Sequence, residues 1–286
     1  MLDCIVIGSG LAGISAALTL QANGKSCQIF GSKSLSEKIE KAEEIRNYPG
    51  LSCVSGKDFS IALQAQLADT NIDVIEEKVS GVYALSGKFG VATQQGGYYE
   101  SKTVILSCGV ESVKLIDGET DYLGRGVSYC ATCDGFLYKG KTIAVLCTTK
   151  RLEHEIEHLS SFADKVYLFP MYKDVAKQAE NVEIIRKMPL KLQGENRVQS
   201  LIFADKELAV DGVFVLREST PPTTLIADLE MENNHVKIAR DCSTNVVGLF
   251  AAGDCTGRPY QYAKAVGEGN VAAHSVTAFL SKTNKE

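Results

Sequence analysis

The sequence predicts an α/β protein of two doubly wound domains, the second inserted into the first. Three observations carry this. An apolar run, "DCIVI" at 3 to 7, enters the glycine-rich "GSGLAG" (Gly8 to Gly13) and continues as a helical stretch to Gly24. A second strand-to-helix unit of the same kind starts in mid-chain at residue 142. The chain then closes with another buried strand, "GLFAAGD", and a helix over 262 to 280. Segments 1–113 and 220–286 are read as one domain and 114–219 as the other.

Taken in order, "SCQIF" after Gly24 is the second strand of an N-terminal βαβ unit. In the G-x-G-x-x-G of Gly8, Ser9, Gly10, Leu11, Ala12 and Gly13, the glycines serve a tight turn, close backbone approach to a pyrophosphate, and helix packing. The strand before and the helix after turn a weak motif into a strong one. One departure is that the carboxylate expected about 20 residues on, at the end of the second strand, is missing from "IFGSK". The adenosine ribose of a bound dinucleotide is therefore expected to meet backbone or Ser32, beside Gly31. "SKTVILSCG" (101 to 109) reads as another buried strand and "VESVKLIDGE" as a crossover. The second unit runs "TIAVLC", a helix from about Arg151 to Ala163, "KVYLF", then short strands to "DGVFVLR"; "ESTPPTT" marks the second crossover. Both domains are expected to be Rossmann-like and three-layered.

Composition narrows the function. With 286 residues, 45% hydrophobic and 23% charged, the chain is an ordinary globular protein with room for two cores. A net charge of −5 argues against a dedicated nucleic-acid binder, which would carry a basic excess. No apolar run approaches the roughly 18 residues that span a bilayer, and "MLDCIVIG" lacks the features of a secretory signal. No membrane role is expected. Nine cysteines, an odd number with one close pair, suit a reducing, cytoplasmic setting.

That close pair is Cys130 and Cys133 in "YCATCDG", followed at once by Asp134. A CxxC is half a zinc site or a redox dithiol. Zinc requires two more ligands, while the other cysteines are isolated and mostly fall in predicted strands, so no metal is expected. The dithiol reading also accounts for Asp134, since thiol–disulfide exchange needs a group that gives and takes a proton.

"GSGLAG", "YPG" at 48 to 50, "CATCDG" and "GLFAAGD" with its following helix occur in the order and spacing of low-molecular-weight thioredoxin reductases, and the chain resembles that family over nearly its whole length. The resemblance implies a homodimer with FAD in the first domain. It implies that Cys133 faces the flavin, that Cys130 exchanges with thioredoxin and that Asp134 is the proton donor. It further implies that Asn47 packs by the flavin, that Val79 contacts the adenosine end, and that Asp254 and the start of the last helix hold ribityl and flavin oxygens. Helix N-termini favour negative charge, in keeping with that last assignment. The family often has a glutamine next to the alanine corresponding to Ala263. Here Tyr262 stands there, so the flavin is expected to be shielded differently.

Pyridine-nucleotide-dependent members carry GxGxxS or GxGxxA after the first strand of the second unit, and a basic cluster after the next. In this chain those places read Cys147-Thr148-Thr149-Lys150 and Pro170-Met171-Tyr172. Side chains occupy the space a pyrophosphate needs, and no arginine pair remains for a 2′-phosphate. "VLRES" likewise replaces a glycine-containing stretch. The domain is thus expected to keep its fold without binding NADPH. In this the sequence is most similar to the pyridine-nucleotide-independent, ferredoxin-dependent flavin thioredoxin reductases, which implies ferredoxin as donor and thioredoxin as acceptor. A ferredoxin near about −400 mV feeding thioredoxin near about −270 mV drops roughly 130 mV, about 6 kcal/mol for two electrons. Residues 139 to 191 hold ten Lys/Arg against seven Asp/Glu, a local excess of three that suits an acidic donor and equally a solvated face.

Other readings of the same residues are a dithiol oxidase that passes electrons to oxygen, a non-catalytic redox-sensing flavoprotein, and an unusual NAD(P)H enzyme. "HEIEH", His154 to His158, matches a zinc-protease pattern. Leu152, Ile156, Leu159 and Ala163 form the apolar stripe of that helix, so both histidines are expected to point away from the core. Cys147 is read as a buried structural cysteine, and Cys255 beside Asp254 is left without a role.

Overall fold

Cys4, Ile5, Val6 and Ile7 of β1 (Leu2–Ile7) are all at most 5% exposed, the burial of a strand covered on both faces. The structure is a computed structural model that describes residues 1–40, 42–110, 116–119, 121–217 and 222–283. The segments 111–115 and 218–221, on which parts of the two expected crossovers fall, lie outside the described residues. Two compact units divide the chain: Met1–Val110 with Pro221–Glu286, and Glu111–Thr220.

In the first unit β1 leads through α1 (Leu11–Ala22) to β2 (Cys27–Phe30), and then to α2 (Glu37–Glu40) and α3 (Gly56–Ala68). Ser55 caps α3 by accepting from the Asp58 amide at 3.0 Å. Next come β3 (Asp73–Ile75), β4 (Val79–Leu85), β5 (Lys88–Thr93) and β6 (Tyr98–Leu106). β3, β2, β1 and β6 are parallel neighbours, while β5 and β4 extend the sheet as an antiparallel ribbon.

The second unit holds β7 (Val127–Ser128), α4 (Ala131–Asp134), β8 (Thr142–Cys147), α5 (Glu153–Ser160), β9 (Lys165–Pro170) and β10 (Val182–Ile184). It continues with β11 (Lys191–Gln193), β12 (Ser200–Ile202), β13 (Glu207–Ala209) and β14 (Gly212–Leu216). Its parallel sheet has the order β10-β9-β8-β14-β7. Alternation along β8 separates two faces: Ile143 and Val145 pack with Ile156 and Leu159 of α5, whereas Ala144 and Leu146 pack with Leu192 and Leu201 of the antiparallel β11–β13 sheet. Helix, sheet and sheet make the three layers. The predicted helix over 151–163 is shorter than expected. A 3-10 turn over Lys150–Leu152 precedes α5, and the Ser160 and Ser161 hydroxyls bond back to the carbonyls of Glu157 and His158 where it ends.

The chain returns to the first unit through α6 (Pro222–Leu225), β15 (Met231–Glu232), β16 (His235–Val236), β17 (Leu249–Ala251) and α7 (Tyr262–Thr283). β17 pairs in parallel with β6, Ala251 opposite Leu106, so the last strand joins the sheet that the first strand opened. α7 lies backbone to backbone on α1: a Cβ at Gly269 would sit 2.2 Å from the Ala12 carbonyl oxygen. Ser15 Oγ donates to Val266 O and Asn270 Nδ2 to Thr19 Oγ1 along the same contact.

Gly269→Ala forces these helices apart and is expected to destabilise the protein by about 1–3 kcal/mol, the usual cost of overpacking. Urea unfolding followed by circular dichroism measures it; an unchanged midpoint would show that the contact yields freely.

Candidate functional site

The glycines after β1 have separate tasks. Gly8 sits at φ +115°, and a Cβ there would lie 2.2 Å from Ser107 O. A Cβ at Gly13 would lie 1.9 Å from Gly8 O. Nothing in the protein stands within 4 Å of the place a Gly10 Cβ would take, so protein packing does not explain that glycine. Gly10 is also the N-cap of α1, which has neither a side-chain cap nor an acidic residue in its first turn. Its first amides therefore await an acceptor, in front of open space and at the positive end of the helix dipole. Such a turn fits a pyrophosphate. Ser9, Leu11 and Ala12 are buried; the last two belong to the core.

At the end of β2, Gly31 lies against Ser9, whose Oγ would be 2.6 Å from a Cβ on Gly31. Ser32 and Ser34 share a hydroxyl hydrogen bond at 2.8 Å. A carboxylate from just beyond β3 does reach the end of β2: Glu76 Oε1 accepts from the Lys33 amide at 3.1 Å. Reading along one strand missed it because the neighbour is 43 residues away. Val79, 4% exposed, packs in the cluster that includes Phe30.

Asp254 follows Gly253, whose φ of +88° turns the chain out of β17. Burial pushes its carboxyl up, against the lowering pull of Lys38 and Lys264. A network unforeseen from sequence fixes this loop. Lys264 Nζ donates to Gly253 O, Thr256 Oγ1 and Gly257 O at 2.7–2.9 Å and pairs with Glu268, which accepts from the Gly253 amide and the Thr256 hydroxyl. Cys255 is 1% exposed, with its Sγ 3.5 Å from Leu106 O and 3.3 Å from Ala252 O. The neighbouring Cys108 thiol, then burial, push the Cys255 thiol up, and the same interaction lowers Cys108. Tyr262, Phe59 and Tyr48 form an aromatic row with centroid spacings of 6.4 and 5.2 Å. Exposed Asn47 precedes Tyr48 in the chain, and exposed Ala263 follows Tyr262.

In the second unit Cys130 and Cys133 are joined by a disulfide, Cα atoms 5.3 Å apart. Cys130 caps α4, its Sγ accepting from the Cys133 amide at 3.0 Å. Cys130 and Asp134 are half-buried, Cys133 is exposed, and Gly135, directly after α4, lies against Leu159 of α5. Immediately beyond, Phe136 and Leu137 are 60% and 54% exposed.

The glycine-free turn after β8 is filled by its own residues. Thr148 donates from its amide and hydroxyl to Leu216 O, Thr149 caps the following turn by accepting from Arg151 N, and Cys147 Sγ donates to Thr149 O. Tyr172 folds back beside Cys147 and Glu153, its hydroxyl buried and its pKa raised by that burial. Burial pushes the Cys147 thiol up to about 11. Where the first unit offers bare amides and open space, this turn is capped and covered. On α5, His154 is exposed and bonds Arg151 O, while His158 is half-buried against Phe162. Among the described residues no group of three or more His, Cys, Asp or Glu is placed to hold a metal.

One dinucleotide turn and one CxxC disulfide define a flavin-type disulfide oxidoreductase. A sequence profile of the pyridine nucleotide-disulphide oxidoreductase family matches residues 2–152 and 157–269. The thioredoxin reductase of Helicobacter pylori is 32% identical over 98% of this chain and 99% of its own length; that of Treponema pallidum is 30% identical over 97% of each. A solved ferredoxin-flavin thioredoxin reductase from Clostridium acetobutylicum is 40% identical with a TM-score of 0.92, covering 100% of this chain and 99% of its own. A thioredoxin reductase structure from Gloeobacter violaceus is 27% identical, with a TM-score of 0.81 over 98% and 94%. The chain belongs to the pyridine nucleotide-disulphide oxidoreductase family and, within it, to the FAD-binding thioredoxin reductases.

Thiol labelling tests the covered turn. With a pKa of about 11, Cys147 is roughly one part in a thousand thiolate at pH 8. Iodoacetamide is expected to modify Cys130 and Cys133 of the reduced protein and to spare Cys147, with Cys147 labelling growing as pH rises toward 11. Labelling of Cys147 as fast as Cys133 at pH 8 would show the turn to be open.

Proposed function

We propose that this chain reduces thioredoxin with electrons from ferredoxin, without NADPH. The observation that carries the reading is the contrast between its two dinucleotide-type turns: the first uncapped and open at Gly10, the second capped by Thr149 and covered by Tyr172. Similarity to a ferredoxin-flavin thioredoxin reductase supports it. Bound FAD supplies the conversion between single electrons and the pair that a disulfide requires.

The chain's own residues divide the work. Segments 1–113 and 220–286 bind FAD, and 114–219 carry the dithiol. Gly8, Gly10, Gly13 and the first amides of α1 hold the pyrophosphate. Ser32 and Glu76 are the polar groups for the ribose, with Gly31 and Val79 shaping the adenosine end. Asp254, kept in place by Lys264 and Glu268, and the first turn of α7 hold ribityl and flavin oxygens. Asn47, Tyr262 and Ala263 line the ring, the tyrosine as a shield.

At the dithiol, the two electrons that open the disulfide leave Cys133 and Cys130 as thiols. The Cys130 thiolate attacks the disulfide of thioredoxin, forming a mixed disulfide and expelling one thioredoxin thiolate. Cys133 then attacks Cys130, restoring the internal disulfide and releasing the second thiolate, with Asp134 handling the protons. Exposed Phe136 and Leu137 give thioredoxin an apolar contact beside the reacting sulfurs. Eight of the ten Lys and Arg between 139 and 191 are exposed, which suits an acidic ferredoxin. A cytoplasmic homodimer completes the reading: seven cysteines stay as free thiols, as a reducing compartment maintains them. No helix of the described residues is long and apolar enough to cross a membrane.

Anaerobic flavin bleaching tests donor and acceptor together. Photoreduced ferredoxin is expected to bleach the flavin and oxidised thioredoxin to restore it, with Cys133→Ser abolishing thioredoxin reduction. Bleaching by NADPH would overturn the reading.

A further inference from the structure

Glu119 and Arg217 form a buried ion pair in the second unit, their side chains 2% and 5% exposed. Burial of charge is costly unless it is paired and hydrogen-bonded. The pair is built around one residue, Tyr129. Arg217 Nη2 contacts Glu119 Oε1, the same oxygen accepts from Tyr129 Oη at 2.8 Å, and the Arg217 guanidinium lies over the Tyr129 ring, 5.3 Å from its centroid. Tyr129 is itself 8% exposed. It links β7 to Cys130, whose amide donates to Ser128 Oγ at 3.0 Å. β7 pairs with β14, and Arg217 directly follows β14. Glu119 closes the turn that begins at Ile116. Residues beside the chain's entry into and exit from this unit are thus tied to the peptide segment that presents the first sulfur.

We propose that Glu119 and Arg217 are positioning residues for Cys130. They clamp Tyr129 and, as a neutral pair, balance the charge beside the Cys130 thiol. The inference rests on Cys130 being a working thiol of the proposed reaction, but its test reads that thiol directly and needs neither ferredoxin nor thioredoxin. Glu119→Gln preserves shape and removes one negative charge next to the Tyr129–Cys130 segment, which favours the thiolate. Arg217→Met removes one positive charge there and disfavours it. The double variant leaves the net charge as it is in the parent.

The experiment is the pH profile of iodoacetamide labelling at Cys130 in the reduced, FAD-loaded protein, read by peptide mass, together with the reduction potential of the Cys130–Cys133 couple. At pH 7, Glu119→Gln is expected to raise the labelling rate about threefold and make the couple more oxidising. Arg217→Met is expected to slow labelling about threefold and make the couple more reducing, and the double variant to return near the parent. A structural role alone lowers the unfolding midpoint without reversing sign between the two single variants. Should a single variant fail to fold, Arg217→Lys, which keeps the charge, is compared with the double variant, which loses both; each is expected to retain the parent profile. Single variants that shift in the same direction, a folded single variant that does not shift, or neutral pairs that do, would overturn the proposal.

Discussion

Backbone-to-backbone contact around the first glycine turn is the constraint on which the first unit depends. Gly8 lies on the Ser107 carbonyl, Gly13 on the Gly8 carbonyl and Gly269 of α7 on the Ala12 carbonyl. Side chains at any of the three would push apart β1, β6, α1 or α7. These close contacts bring the ends of β1, β6 and β17 together, so the glycine turn, Cys108 and the Asp254 loop meet at the carboxyl ends of parallel strands, the usual place for a ligand in an open α/β sheet. Within the same turn, Gly10 makes no such contact. Protein packing does not account for its lack of a side chain, which suits the proposed pyrophosphate contact.

The second unit repeats the strand–turn–helix plan with the opposite outcome. Thr148, Thr149 and Cys147 satisfy one another or the adjacent carbonyls, and Tyr172 packs beside Cys147 over the turn. A parallel sheet with its covering layers does not need a nucleotide to fold, because its stability comes from the two apolar faces of β8, β9 and β14. The fold can outlast the loss of one ligand while the unit still presents the CxxC.

Polar groups placed beneath the surface organise both parts of the candidate site. Lys264 and Glu268 hold the Asp254 loop to α7, and Glu119 and Arg217 hold Tyr129 beside Cys130. Each set joins segments distant in the chain. Low local dielectric strengthens such interactions and makes the loss of one member costly.

The fold class was legible in the sequence because buried parallel strands read as short apolar runs, and because GSGLAG and CATC are local signals whose spacing alone carries meaning. So was the departure at Cys147-Thr148-Thr149, since a missing glycine is visible without coordinates. The shortened α5, with its 3-10 entry, depended on hydroxyl-to-backbone bonds that propensity does not specify. Only the tertiary structure could bring Glu76, just beyond β3, to the end of β2, set Tyr172 over Cys147, or bring Glu119 and Arg217, 98 residues apart, into one buried pair. Sequence periodicity records which face of an element is apolar; it carries no information on which distant polar groups the packed faces then force to share a partner.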